Sequence, residues 1–207
     1  MPTVLQVEGL SFSYPQHALF AHWSARIPPG VTLLRGGDGS GKTTLLRLLA
    51  GDLPAQAGEL QMNGVRLSEQ PLAYRQQVCR TDPQASAFDQ MSAVEYFKSR
   101  HCLYPGFDDH ALGDLTQGLA LTPHLEKPLY MLSTGSKRKV WLAAAFASGA
   151  ALTLLDEPFA ALDKASIGFV MELLEEAASH PTRAWVVADY AAPGALPLAA
   201  VIELEDR

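Results

Sequence analysis

The chain alternates short runs of Val, Leu and Ile with longer stretches whose apolar residues recur every three or four positions. That is the pattern of strands interleaved with helices in an α/β domain. Val4–Val7, Leu10–Tyr14 and Trp23–Ile27 read as short antiparallel strands, and Val31–Arg35 as a buried strand running into a glycine-rich loop. Thr43–Ala50 reads as a helix ended by Gly51. Glu59–Met62 and Val65–Leu67 flank Asn63-Gly64, a dipeptide suited to the left-handed positions of a hairpin turn. Val78–Arg80 is a brief strand. From about residue 85 to 131 the pattern turns helical, broken by Pro105-Gly106, Pro123 and Pro128, and reads as a helical insertion. The α/β alternation then resumes with a helix over Ser133–Ala147, a strand at Leu152–Leu155, a helix over Lys164–Ala178, and strands at Ala184–Ala188 and Val201–Leu204. The expected organisation is a single domain, with residues 1–84 and 132–207 as an α/β core and about 85–131 as a helical subdomain.

Composition narrows the class of function. With 207 residues, 48% of them hydrophobic, the chain can bury one sizeable core. Its net charge of −6 argues against nucleic acid as a partner, which would call for a basic face. No stretch approaches the ~20 apolar residues of a spanning helix; the most apolar one, Val140 to Leu155, is broken at Ser148-Gly149. The first residues, Met-Pro-Thr-Val-Leu-Gln-Val-Glu, lack the basic start and apolar run of an export signal. Cys79 and Cys102 form neither a disulfide framework nor a metal-ligand spacing. A cytoplasmic protein is expected.

The chemistry begins at Gly36-Gly37-Asp38-Gly39-Ser40-Gly41-Lys42-Thr43, which fits G-x-x-x-x-G-K-[ST] between a strand and a helix. Glycines there let backbone N–H groups turn toward phosphate oxygens. The following helix adds its positive end. Lys42 supplies a cation for the β- and γ-phosphates, Thr43 a hydroxyl for Mg²⁺, and Thr44 continues the site. This loop specifies a nucleoside triphosphate and no more.

Further elements follow in a fixed order. Leu132-Ser133-Thr134-Gly135-Ser136 precedes the basic run Lys137-Arg138-Lys139; Leu152-Thr153-Leu154-Leu155-Asp156-Glu157-Pro158 is an apolar strand ending in two acids; Ala161-Leu162-Asp163 comes next. Upstream stand Tyr14, in Leu10-Ser-Phe-Ser-Tyr14, and Gln84, in Asp82-Pro83-Gln84. Across essentially its whole length the chain resembles the ATPase subunits of ABC transporters, with their signature, Walker B, D-loop and Q-loop segments. The resemblance implies a fold with a P-loop core, an N-terminal antiparallel β subdomain and an α-helical insertion. It implies ATP as substrate and Mg²⁺ as cofactor. Asp156, Thr43 and Gln84 would serve the metal, Glu157 would polarise the attacking water, and Tyr14 would stack on adenine. Ser133 and Gly135 would contact the γ-phosphate of a second cassette clamped head to tail. An ordinary helix cap would use Ser133 as well. The implied partners are that second subunit, identical or not, and an integral membrane subunit on a separate chain, which would hold the protein at the cytoplasmic face of the inner membrane. The length is similar to that of short bacterial cassettes, among them the haem-exporter cassettes of cytochrome c maturation.

Three departures from the family pattern stand out. Thr134 and Ser136 replace the signature's first glycine and glutamine, and Asp38 puts a carboxylate into the phosphate loop. After Ala184–Ala188 the family places a histidine that contacts the γ-phosphate; the register here gives Asp189. An ionised Asp accepts hydrogen bonds only and repels phosphate. Asp189 therefore points to slow basal hydrolysis by a transporter ATPase. The alternative is a degenerate cassette that binds ATP, hydrolyses it poorly and serves as the regulatory half of a heterodimer; intact Lys42, Asp156 and Glu157 oppose it.

Overall fold

The computed structural model describes residues 2–82, 86–191, 194 and 196–205. A hairpin of β1 (Leu5–Tyr14) and β2 (His17–Ile27) leads into β3 (Gly30–Arg35), the glycine loop and α1 (Lys42–Leu49). A second hairpin, β4 (Ala57–Met62) and β5 (Val65–Arg66), is followed by the short α2 (Pro71–Arg75) and by β6 (Val78–Arg80). Helices α3 (Ala93–Leu103) and α4 (Asp109–Gly118) and two single 3₁₀ turns precede α5 (Thr134–Ala147). Then come β7 (Leu152–Asp156), α6 (Lys164–Ala178), β8 (Ala184–Asp189) and β9 (Ala200–Glu203).

These strands form two sheets. One is antiparallel in the order β2-β1-β4-β5; the other is parallel in the order β6-β7-β8-β3-β9. Both faces of the parallel sheet are covered, so its central strands are apolar throughout rather than alternating. Along β8, Ala184, Val186 and Ala188 face a core shared with α1 and the antiparallel sheet, whereas Trp185 and Val187 face a core shared with the helices on the opposite side. Helix α1 is thus clamped between the two sheets, and the phosphate loop at its start is held from both sides.

Two strand expectations need correction, and one short helix carried no expectation. The antiparallel sheet does not break at Glu8-Gly9: β1 runs on through an irregular register between Val7 and Leu10, where Gly9 takes φ +63°. A bulge absorbs an extra residue without ending a strand, and its sequence looks like a turn. Strand β2 begins at His17, ahead of the expected Trp23, again across an irregularity at His22 (φ +52°). Helix α2 is five residues long, too short to show a helical period. In the insertion, Ser92 and Glu95 form a capping box at the start of α3, satisfying each other's backbone N–H groups. Helices α3 and α4 pack against α5 and share its core. Tyr96 and Phe97 are buried there with Trp141, and Phe88 lies half-buried against them, so Tyr96 and Phe97 belong to the insertion's own core rather than to an exposed docking patch.

Candidate functional site

The glycine loop runs between β3 and α1 and is shaped by what its glycines leave out. Gly39 and Gly41 adopt φ +78° and +98°, a region that side-chain-bearing residues avoid. A Cβ on Gly41 would come within 2.9 Å of Leu19 on β2. A Cβ on Gly36 would collide with the Ser40 hydroxyl. That hydroxyl is buried and has no partner among the described residues. Helix α1 starts without a side-chain cap and without an acid in its first turn. Its first N–H groups are therefore open to an anion. Lys42 is buried, and its Nζ donates to the carbonyls of Gly36 (2.7 Å) and Gly37 (2.9 Å). An uncapped helix end, an orphaned hydroxyl and a cation folded into the loop together fit a polyphosphate.

The end of β7 brings the acids to this loop. Asp156 is buried at the end of β7, between β6 and β8, and the Thr43 hydroxyl stands beside its carboxylate. Burial pushes the Asp156 carboxyl above the usual carboxylate range, although the nearby Thr43 hydroxyl favours the charged form. Glu157, Arg80 and Lys42 all act on it electrostatically. A hydroxyl and a carboxylate side by side form a hard-oxygen donor pair of the kind Mg²⁺ takes up together with phosphate oxygens and water. Glu157 follows with an exposed side chain and φ +45°. It shares with Asp38 and Asp189 an open cleft of about 970 Å³, walled on the apolar side by Phe159, Ile167 and Met171.

Asp189 ends β8, paired with Arg35 of β3, and its Oδ1 accepts a hydrogen bond from the Tyr190 N–H at 2.7 Å. Tyr14 closes the other side of the loop. Its hydroxyl lies 3.2 Å from Thr44 Oγ1, Phe12 meets its ring edge-on, and the ring is 42% exposed. Ser133 stands apart from the cleft: it is the N-cap of α5, where its hydroxyl accepts a hydrogen bond from the Ser136 N–H at 3.1 Å. Gly135 packs on the backbone of residue 161, where a Cβ would collide with the Ala161 carbonyl oxygen. Gln84 lies outside the described residues. The structure thus gathers Lys42, Thr43, Asp156, Glu157, Asp38 and Asp189 in one place and sets Ser133 and Gly135 elsewhere. Two contributors carried no sequence signal. The Thr81 hydroxyl accepts a hydrogen bond from the Asp156 N–H at 3.3 Å, and Arg138 reaches the turn after β7.

Comparison with known proteins is consistent across three routes. Residues 22–160 match the family model described as "ABC transporter". The chain is 35% identical over 204 residues to the cytochrome c biogenesis ATP-binding export protein CcmA of Rhodospirillum rubrum, covering 96% of this chain and 86% of that one. Against the protein of the same name from Legionella pneumophila it is 33% identical over 177 residues, covering 84% and 86%. A solved structure of an ATP-binding subunit of an ABC transporter superposes with a TM-score of 0.80 at 24% identity, covering 90% of this chain and 79% of that one. A putative ABC transporter ATP-binding protein from Pyrococcus furiosus gives a TM-score of 0.77 at 23% identity, covering 97% and 96%.

Proposed function

The chain belongs to the ABC transporter family of ATP-binding cassettes, and we propose that it is the ATP-hydrolysing subunit of a membrane transporter, working as a head-to-tail dimer. The observation that carries this reading is the meeting of Lys42, Thr43 and Asp156 around an uncapped helix end, with Glu157 one residue further on. When ATP enters, the Lys42 ammonium exchanges two neutral carbonyls for β- and γ-phosphate oxygens, and hydrogen bonds between charged groups are the stronger kind. Loop amides and the first turn of α1 take the remaining phosphate oxygens, and Tyr14 offers its exposed ring to the base. Thr43 and Asp156 would hold Mg²⁺, which neutralises phosphate charge when bound. Glu157 orients a water for in-line attack on the γ-phosphorus and takes its proton as the bond to the β-phosphate oxygen breaks, leaving ADP and inorganic phosphate.

No helix among the described residues is long and apolar enough to span a membrane, and the proposed path for the cargo lies in a separate membrane subunit. A groove of about 530 Å³ between the core and the insertion is the proposed seat for that membrane subunit, which would keep the protein at the cytoplasmic face. Leu72 (76% exposed) and Leu103 (39%) line it beside Arg75, Arg100 and Phe88. The names of the relatives extend the proposal to export in cytochrome c assembly; deleting the gene in its host should then deplete mature cytochrome c, and normal cytochrome c levels would remove that extension. A second reading, a cassette that binds ATP but hydrolyses it poorly, is favoured by the three carboxylates lining one cleft.

Replacing Lys42 with Ala tests the core of the proposal. Calorimetry should show MgATP affinity falling by at least ~10²-fold with the fold intact, because the phosphates lose their only loop cation. Equal affinity in variant and parent would overturn the assignment of the site.

A further inference from the structure

Glu157 is a residue with a side chain in the left-handed region, at φ +45°. Such a backbone costs energy and persists only where its surroundings hold it. The holders here are hydrogen bonds on both sides of the residue. The Glu157 N–H donates to the Ala188 carbonyl at 3.0 Å, which anchors it to β8. The Glu157 carbonyl accepts from the Ala160 N–H at 3.2 Å and from Arg138 Nη1 at 2.7 Å. The same Nη1 donates to the Ala160 carbonyl at 2.8 Å.

Arg138 differs in this from its neighbours on α5. Lys137 pairs with Asp89 and Lys139 with Asp163, both at 2.6 Å. Arg138 directs its half-buried guanidinium to two main-chain carbonyls, although Asp156 and Glu157 are its electrostatic neighbours. One turn earlier on the same helix, Gly135 leaves room for the Ala161 carbonyl, and Ala161 itself sits at φ +60°. The first two turns of α5 therefore clasp the whole 157–161 turn.

We propose that Arg138 is a positioning residue for hydrolysis: by holding the carbonyls of Glu157 and Ala160 it fixes the left-handed turn that aims the Glu157 carboxylate. Because Arg138 and Gly135 belong to the signature helix, this clasp also joins the segment offered to a second cassette to the base that serves this chain's own ATP. The inference rests on the reading of Glu157 as the base. Without Arg138 the turn keeps the Ala160 N–H bond and the anchor to β8 and relaxes about them. Lys42, Thr43 and the phosphate loop are untouched, so nucleotide still binds.

Arg138→Met and Arg138→Lys test this through three measurements: MgATP affinity, turnover, and amide hydrogen exchange at Ala160 and Leu162, whose N–H groups bond within the turn. In the Met variant kcat should fall roughly 10–100-fold, the scale of a small misplacement of a reacting group. MgATP affinity should stay within about 2-fold, since binding and chemistry separate when a group acts only in the transition state. Exchange should quicken at Ala160 and Leu162 and not in β7 or β8. The Lys variant should recover much of kcat, because one ammonium can donate to both carbonyls as the single Nη1 does. Unchanged kcat and unchanged exchange in the Met variant would overturn the proposal. So would a fall in kcat accompanied by faster exchange throughout the sheet, which marks a stability defect alone. Failure of the underlying reading looks different. Glu157→Gln would then hydrolyse ATP as the parent does, and the exchange measurement would still decide whether Arg138 holds the turn.

Discussion

Asp189 adds a third carboxylate to a cleft that already holds Asp38 and Glu157. One of its oxygens is occupied by the Tyr190 N–H at 2.7 Å, so the residue both caps its own turn and lines the cleft. A carboxylate in that position cannot donate to a γ-phosphate and repels it. Losing one well-placed donor can cost ~2.7–4 kcal/mol of transition-state stabilisation, or roughly 10²–10³ in rate. The parent should therefore bind MgATP and turn it over slowly. Asp189→His should raise turnover toward that limit, and Asp189→Ala should raise it less, by removing charge without adding a donor. ATPase rates of the three proteins at one concentration check this; a parent rate typical of active cassettes and unchanged in both variants would remove Asp189 from the mechanism. At this scale the sequence was legible where chemistry is contiguous. The phosphate loop and the Asp156-Glu157 pair each lie within eight residues, and their spacing carries their meaning. The hold on Glu157 was not legible: Arg138 reaches carbonyls 19 and 22 residues away, and a carbonyl acceptor leaves no mark on the sequence.

Among the elements, those with the plainest apolar pattern were the easiest to read. Strand β6 and helix α6 fall where the apolar pattern puts them, and β7 and β8 extend the expected strands by one residue, to Asp156 and Asp189. The insertion was harder, because a helical period says that one face is apolar without saying what it meets. Helix α3 turns Tyr96 inward, edge-on to Trp141 of α5 with ring centroids 4.5 Å apart. The large side chains left in the open groove are Leu72 and Leu103, on α2 and α3. Tyr96→Ala should therefore cost about 3–5 kcal/mol of stability, as deleting a buried aromatic does. Leu72→Ala should leave stability within ~0.5 kcal/mol, as exposed substitutions do. If the groove seats the membrane subunit, the same Leu72→Ala change, or better Leu72→Asp, should weaken assembly with that subunit. Denaturant titration separates the first two effects, and co-purification of the full transporter reads the third. Assembly unimpaired by Leu72→Asp would move the docking surface elsewhere.

For the molecule as a whole, the placement of the signature segment is the decisive fact. The cleft that holds Glu157, Asp38 and Asp189 is lined by no residue from 132 to 139. Instead Ser133 stands exposed at the start of α5, with the next turns of that helix clasping residues 157–161 from the other side. On the proposed reading a lone chain would bind the phosphates with its loop and bring its base, while its own signature hydroxyl and amides lie outside that cleft. A second copy placed head to tail would bring them to the γ-phosphate and complete two sites at once. Nucleotide should then control assembly. ATP supplies the γ-phosphate that the signature would grip, and ADP lacks it. Each chain also carries a net charge of −6, and bound MgATP is itself a net anion, so two copies repel unless the new contacts across the site offset that repulsion. Saturating MgATP should convert monomer to dimer in sedimentation velocity, and MgADP should not. Glu157→Gln keeps the shape of the side chain but removes its capacity as a base, so its dimer should outlast that of the parent by the factor by which hydrolysis slows. A protein that remains monomeric with MgATP in both forms would exclude assembly by identical chains alone, and the complementary signature would then have to come from a different cassette or require the membrane subunit to bring it into place.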